Sequence, residues 1–427
     1  MGLHKRNPRA PKTEFTKRPI FDISISRDEI SKLTMAPIRV GFQGLSADTP
    51  FCWANHAHLP YFKKSPDYQI VALCNSSRES GQRAAQFHQL DPNIKIYATP
   101  EALAADPDVD MVICSVNVGK HYDLIKPAIL AGKLPVVEWP LASNVAQAEE
   151  LTSLAREKGL KTLVILQGRL SPVTAKVRQL IADGRIGEVF SVNLDAVAGY
   201  HGEDPIGVGG MYLSDRKVGG NMATIHFGHA IDTFLSAVGQ VSSFTSYIAN
   251  KRPFTKVIDR SQTPPTVVHE AFPKDTPDQI MLQGRLVSGA LISVHMRGGR
   301  NFPGAPGMEW RIYGRTGEIR VVCPGHFLHM GFPKDTPDKT TEKFTYPGDG
   351  EFFMDMKFEV HDFATGAVEV IEIDQDEWDD LRREAQNPAR VYEAYRKGDM
   401  RYYATFEEAL ERQKFIDKIM EGLTEAG

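Results

Sequence analysis

The chain has 427 residues, 42% of them hydrophobic, and a formal net charge of −4. That length allows two domains with a sizeable core, while the mild acidity excludes a global nucleic-acid or membrane-surface footprint. No apolar run reaches membrane-spanning length, and the four widely spaced cysteines (Cys52, Cys74, Cys114, Cys323) read as reduced thiols of an intracellular protein.

Residues 1–35 carry eight Lys or Arg against four Asp or Glu, a local +4 set against −8 in the remainder. Their basic start has the charge of an organellar presequence, yet prolines interrupt it and no amphipathic stripe is present. Residues 1–36 are therefore read as a disordered basic tail, and the protein as cytoplasmic. From Ile38 a regular rhythm begins. Strands are expected over Ile38–Gln43, Tyr68–Cys74, Lys95–Tyr97, Val109–Val116, Leu134–Glu138 and Thr162–Leu166. Helices are expected between them over Trp53–Lys63, Arg78–Gln89, Tyr122–Ala131 and Ala146–Lys158. Strands alternating with helices at this spacing predict an α/β fold, a Rossmann-type doubly wound parallel sheet over residues 37–166.

After Leu166 the strands lengthen: Val189–Ala198, Ser242–Ala249, Gln279–Leu286, Ala290–Arg297, Glu309–Tyr313 and Glu318–Val322. Tight connections at Val287–Gly289 and Gly314–Gly317 predict hairpins. With helices over Pro172–Asp183, Thr224–Ala237 and Phe406–Met420, residues 167–427 read as an α+β domain with a large, mostly antiparallel sheet and a terminal helix. The heptapeptide Phe272–Asp278 recurs letter for letter at Phe332–Asp338; both copies read as Pro/Asp turn segments.

Two places carry chemistry. A pyrophosphate needs a close backbone approach after the first strand, which glycines provide. Gly41 and Gly44 stand there, but Ser46 and Thr49 occupy the other glycine positions of a G-x-G-x-x-G. After the second strand, Asn75-Ser76-Ser77-Arg78 offers a guanidinium where a carboxylate would hold a ribose, which favours NADP over NAD. The second place is Val136–Ser143, an apolar run stopped by Glu138, Trp139 and Pro140. It reads as a buried parallel strand with a carboxylate at the end where ligands bind.

Taken in order, these segments resemble the Gfo/Idh/MocA oxidoreductase superfamily over nearly all of residues 37–427. Ser115-Val-Asn117 with His121 resembles its fourth-strand loop, Glu138-Trp-Pro140 its Glu-Lys-Pro element, and Gly219-Gly220 through His229 and Asp232 its Gly-Gly...His-x-x-Asp helix. Val40–Leu45, Val137–Ala142, Leu166–Pro172 and Phe227–Asp232 resemble more closely the branch containing the fungal galactose-pathway repressor. The resemblance implies cofactor binding by Gly44, Leu45, Ser46, Asn75, Ser76, Arg78, Ser115, Asn117, His121, Glu138, Trp139 and Arg169. It also implies a homodimer and a small-molecule substrate; the charge balance predicts no nucleic acid or membrane partner. Two departures stand out: Trp139 replaces the superfamily's catalytic Lys, and Ile225 its Asp. His229 remains as the expected catalytic group, with Tyr200, His201 or Tyr212 as possible helpers. His226 shares its helical face, but two imidazoles do not make a metal site and none is expected. The alternative is a silent NADP-binding sensor that represses a transcription activator, a reading that admits the nucleus as well as the cytoplasm.

Overall fold

The computed structural model describes residues 36–47, 52–323, 325, 328–331 and 356–424. Two compact units divide the chain, residues 1–37 and 38–427; the second holds every element described here. Thr49, the second copy of the heptapeptide and the basic segment 1–35 lie outside the described residues.

Short strands with little polar alternation pair in parallel, as sheets covered on both faces do. They are β1 (Ile38–Gln43), β2 (Tyr68–Cys74), β3 (Lys95–Tyr97), β4 (Met111–Cys114), β5 (Leu134–Glu138) and β6 (Leu163–Ile165). Their order is β3-β2-β1-β4-β5-β6, so the chain reverses direction across the sheet between β1 and β4. A π-helical turn, Ala54–His58, runs into α1 (Leu59–Lys64). The other crossovers are α2 (Arg78–Phe87), α3 (Pro100–Ala104), α4 (His121–Leu130) and α5 (Val145–Glu157). Ser77 and Asn144 cap α2 and α5 by accepting from the Ser80 and Gln147 amides.

The second half opens with α6 (Pro172–Ala182) and β7 (Val189–Ala198) and continues through the two-residue β8 (Ile206–Gly207). A second π turn, Met222–Phe227, leads into α7 (Gly228–Val238). Then come β9 (Val241–Ala249), β10 (Phe254–Asp259), β11 (Thr266–Pro273), β12 (Gln279–Leu286), β13 (Leu291–Gly298), β14 (Met308–Gly314), β15 (Gly317–Cys323), β16 (Lys357–Asp362) and β17 (Val368–Val370). The chain closes with α8 (Arg383–Arg396), α9 (Phe406–Met420) and β18 (Leu423–Thr424). Nine of these strands form one sheet, β17-β16-β15-β14-β7-β13-β12-β9-β18, antiparallel except at β7/β13 and β9/β18. β8, β10 and β11 form a small separate sheet. Both expected hairpins are present, at β12/β13 and β14/β15.

Helix α8, the π turn at Ala54–His58 and β10/β11 were not legible as elements in the sequence. α8 crosses back to the first sheet, where Tyr392, Ala389 and Val391 join Val40, Phe42, Tyr61 and Phe62 in one buried cluster. Ala404 bridges Val164 beyond the β6 edge, its carbonyl accepting from the Val164 amide at 2.9 Å. No helix among the described residues is long and apolar enough to cross a membrane.

Candidate functional site

The reversal between β1 and β4 opens a crevice at the carboxyl ends of the strands, the usual ligand position in an open α/β sheet. Gly44 sits at its floor with φ +95°, and a Cβ there would lie 2.4 Å from the Ser115 carbonyl oxygen. Only glycine permits both the dihedral and the approach. The loop it begins is stitched from two sides: Asn75 Nδ2 donates to the Leu45 carbonyl at 2.8 Å, and His88 Nε2 bonds the Ser46 carbonyl at 3.1 Å. Ser115 is buried behind it, and Asn117 accepts from the Gly119 amide at 2.9 Å, fixing the turn into α4.

Three buried polar atoms here have no partner among the described residues: Gln43 Oε1, Asn75 Oδ1 and Ser115 Oγ. Gln43 ends β1, and Asn75 and Ser115 directly follow the last residues of β2 and β4. Buried polar atoms left open cost about 1–3 kcal/mol each, so three in one crevice suit a polar ligand lying across it. With the Gly44 approach, this donor and acceptor set fits a dinucleotide. Ser76 and Arg78 are exposed at the end of β2, and Arg78 makes no hydrogen bond or ion pair within the described residues.

Several expected ligand residues are engaged by the protein instead. The Leu45 side chain is fully buried in the core, so only its backbone lines the loop. His121 is buried between two strand-end loops, with Nδ1 2.8 Å from the Pro140 carbonyl and Nε2 3.0 Å from the Val116 carbonyl; the single N–H of a neutral ring donates to one of them. Burial lowers its pKa. Arg169 forks onto Asp232 (2.8 and 3.0 Å) and reaches Glu408 (3.0 Å), while Arg412 holds Asp232 from the other side at 3.0 Å. Burial opposes the Asp232 charge, but the two guanidiniums outweigh it and hold the carboxyl below its usual range. The Arg169 fork is thereby occupied, and it joins α7 to α9 instead of facing the crevice.

Glu138 and Trp139 occupy the end of β5. Glu138 is 7% exposed. Its Oε1 accepts from Trp53 Nε1 at 2.9 Å and pairs with His58 Nε2, whose Nδ1 meets the Tyr392 hydroxyl at 2.8 Å. Trp53 and His58 are five residues apart, which an α-helix would set about 140° apart; the π turn, hydrogen-bonded i to i+5, brings them toward one face. Burial pushes the Glu138 carboxyl up, but His58 and Trp53 outweigh it and keep it below the ordinary range. Trp139, 4% exposed, donates its indole N–H to the Thr224 carbonyl at 2.7 Å. It lies so close over Gly228 that a Cβ there would stand 2.5 Å from Nε1.

Across from these, Asn221 caps the second π turn in a reciprocal box with Thr224. Gly219, with φ +87°, lets the chain pass within 2.5 Å of Ser143 Cα by the same Cβ measure, bringing the turn against the β5 loop. His229 stacks flat on His329, ring centroids 4.2 Å apart and planes 7° apart. Its Nδ1 is buried and has no partner among the described residues. Burial pushes its pKa down to about 4 against the raising fields of Glu138 and Asp232, so the ring is neutral near pH 7. One turn back, His226 Nδ1 meets His201 Nε2 at 2.8 Å, and loss of hydration with His229 beside it pushes His226 down to about 3. Tyr212 packs against Gly220 and Ile225 takes the place of an acid. Among the described residues no group of three or more His, Cys, Asp or Glu is placed to hold a metal ion. His58, Tyr392, Trp53, His88 and His329 were not singled out from the sequence; none sits in a spacing that announces its partner.

Residues 50–166 match the model of the oxidoreductase family with an NAD-binding Rossmann fold, and residues 172–323 match the Gal80p C-terminal domain. The chain is 32% identical over 306 residues to dehydrogenase aclE of Aspergillus oryzae, covering 70% of this chain and 80% of that one. It is 30% identical over 305 residues to the galactose/lactose metabolism regulatory protein GAL80 of Saccharomyces cerevisiae, covering 69% of each. A super-repressor mutant of Gal80p from the same yeast superposes with a TM-score of 0.76 at 23% identity, over 91% of this chain and 96% of that one. A 3-ketoreductase from Actinomadura kijaniata, solved with NADP, superposes with a TM-score of 0.62 at 17% identity, over 91% and 98%. At these identities the two superpositions speak for the fold.

Proposed function

Because the chain belongs to the Gfo/Idh/MocA oxidoreductase family, with both a dehydrogenase and Gal80 regulators among its relatives, we propose that it is an NAD(P)-dependent oxidoreductase acting on a hydroxyl or carbonyl of a small molecule. The dinucleotide is held by the backbone of Gly44–Ser46, with Asn75, Ser76 and Arg78 at the adenosine end and Ser115 and Asn117 over the reversal. When bound, the nicotinamide donates or accepts the hydride. Exposed Arg78 at the end of β2 supports a 2′-phosphate, hence NADP.

The observation that carries this reading is the open Nδ1 of His229, a buried imidazole nitrogen with no partner among the described residues. A neutral ring has one donor and one acceptor nitrogen. It therefore hydrogen-bonds a substrate oxygen without bringing a charge, donating to a carbonyl or accepting from a hydroxyl. The stack on His329 fixes the ring plane, and the His201–His226 pair stands beside it on the same face. Tyr247 and Met281, paired across β9 and β12 and both exposed, support a homodimer through the open face of the nine-stranded sheet.

A second reading has its own observation. Trp139 gives its indole N–H to the Thr224 carbonyl, so the superfamily's amine is replaced by a packed wall, which suits a silent NADP sensor acting on a transcription activator. Titration with NADPH and NADH, then a turnover screen of polyols with NADP+ and of carbonyls with NADPH, separates the two. His229→Asn keeps much of the shape and should lower turnover at least about tenfold with little change in cofactor affinity. Tight NADPH binding with no turnover of any substrate would put the sensor in the enzyme's place.

A further inference from the structure

Glu138 is a nearly buried carboxylate whose two protein donors both converge on Oε1. What orients the carboxylate is thus one oxygen pinned by Trp53 and His58. His58 is itself fully buried, and its outer nitrogen is held by the hydroxyl of Tyr392, also fully buried, from a helix 334 residues along the chain. That helix does not swing freely. Arg390 is locked to Asp376 (2.7 and 2.8 Å) and Asp379 (2.7 Å), and Tyr61 donates to Glu393 at 2.9 Å. Three residues before Arg390, Asn387 Nδ2 donates to the His329 carbonyl at 2.9 Å, so the same helix also tethers the backbone of the histidine stacked on His229.

A dinucleotide laid across the reversal, with its adenosine over the end of β2, places its nicotinamide over β4 and β5. We propose that His58 and Tyr392 are positioning residues for the nicotinamide end of that cofactor, acting through the orientation of the Glu138 carboxylate. This rests on the dinucleotide reading of the crevice and extends it to helix α8. Neither residue touches the cofactor. A relay through two buried hydrogen bonds sets the angle of the carboxylate, as outer partners orient the ligands of other sites.

The test compares NADPH and NADH with ADP-ribose, which carries the adenosine and pyrophosphate but no nicotinamide. Tyr392→Phe removes one hydroxyl and keeps the ring packed against Tyr61 and Phe62. It should weaken the nicotinamide dinucleotides about three- to tenfold and leave ADP-ribose affinity unchanged. His58→Leu should do the same more strongly, while His58→Gln, which keeps an N–H near the Nε2 position, should recover much of the loss. Thermal unfolding of each variant shows whether it is folded, and the Gln/Leu contrast remains readable if Tyr392→Phe is unstable. Equal losses for all three ligands, or none for any, would overturn the positioning role. A wild-type protein that binds ADP-ribose and NADH equally well also overturns it, because the nicotinamide end then contributes no affinity; binding of none of the three removes the dinucleotide reading itself.

Discussion

Trp139→Lys restores the superfamily residue to a place the structure has rebuilt around an indole. The ring is 4% exposed, lies on Gly228 and donates to the Thr224 carbonyl at 2.7 Å. Removing a buried Trp costs about 3–5 kcal/mol. The lysine stem refills part of that volume and its ammonium can still reach the Thr224 carbonyl, which recovers about 1 kcal/mol. The desolvation of a cation among apolar neighbours adds to the loss, so the net cost should be at least about 3 kcal/mol. Guanidinium unfolding followed by tryptophan fluorescence measures it, with cofactor titration and turnover on the same samples. The expected outcome is a lower midpoint, weaker NADPH binding and no gain in rate, since Ile225 leaves the second family position empty of a proton carrier. A variant as stable as the wild type and faster on any substrate would refute the view that Trp139 is held as a structural wall.

The other expectations follow from single contacts. Arg78→Ala should weaken NADPH more than NADH in a fluorescence titration; equal losses would reject a 2′-phosphate at the end of β2. Arg169→Leu leaves buried Asp232 with Arg412 alone and should cost about 2–4 kcal/mol in denaturation while cofactor affinity stays within about twofold. A tenfold affinity loss in a fully stable variant would return Arg169 to the cofactor. The burial of His229 holds its pKa near 4, below the 6.5 of a free imidazole. The unfolded chain therefore binds the proton first on acidification, so stability is fully present above about pH 6.5 and falls toward pH 4, by about 3 kcal/mol for this ring. In His229→Asn the acid slope between those values should drop by about one proton; an unchanged slope would mean the ring is not held neutral.

The strand and helix rhythm up to Leu166 was readable because each element's apolar period stands alone, and β1, β2, β3 and β5 fall on their expected bounds. The long hairpins of the second sheet were readable for the same reason. Helix α8 was not, because Arg-Glu-Ala-Gln-Asn-Pro-Ala-Arg buries Gln386, Asn387 and Arg390 to satisfy loop carbonyls and aspartates, and carries Pro388 inside. Its apolar stripe, Ala385, Ala389 and Tyr392, consists of two small residues and one ring set among buried polar ones, too faint to mark a helix. Within the site, a motif identifies which residues stand near a ligand but not where their polar atoms go. Gly44 is bound to its place by its own backbone geometry. His121 and Arg169 stand on equally good motifs, yet spend their nitrogens on the Pro140 carbonyl and on Asp232.

The return of α8 to the first sheet has a consequence for synthesis of the chain. His58 leaves the ribosome 334 residues before Tyr392, its hydroxyl partner. At about 5–20 residues per second that is an interval of roughly 15 to 70 s, longer than a small parallel sheet needs to form its backbone pairing. During that interval the aromatic face of β1 and α1 (Phe42, Tyr61, Phe62) is without the helix that covers it, and the Glu138–His58 pair is open to water. The nascent first half is therefore expected to keep that face exposed until its last partner arrives. Stalled chains ending before Trp378 should be cut within β1–β6 by a brief protease pulse, and chains extended past Tyr403 should resist it.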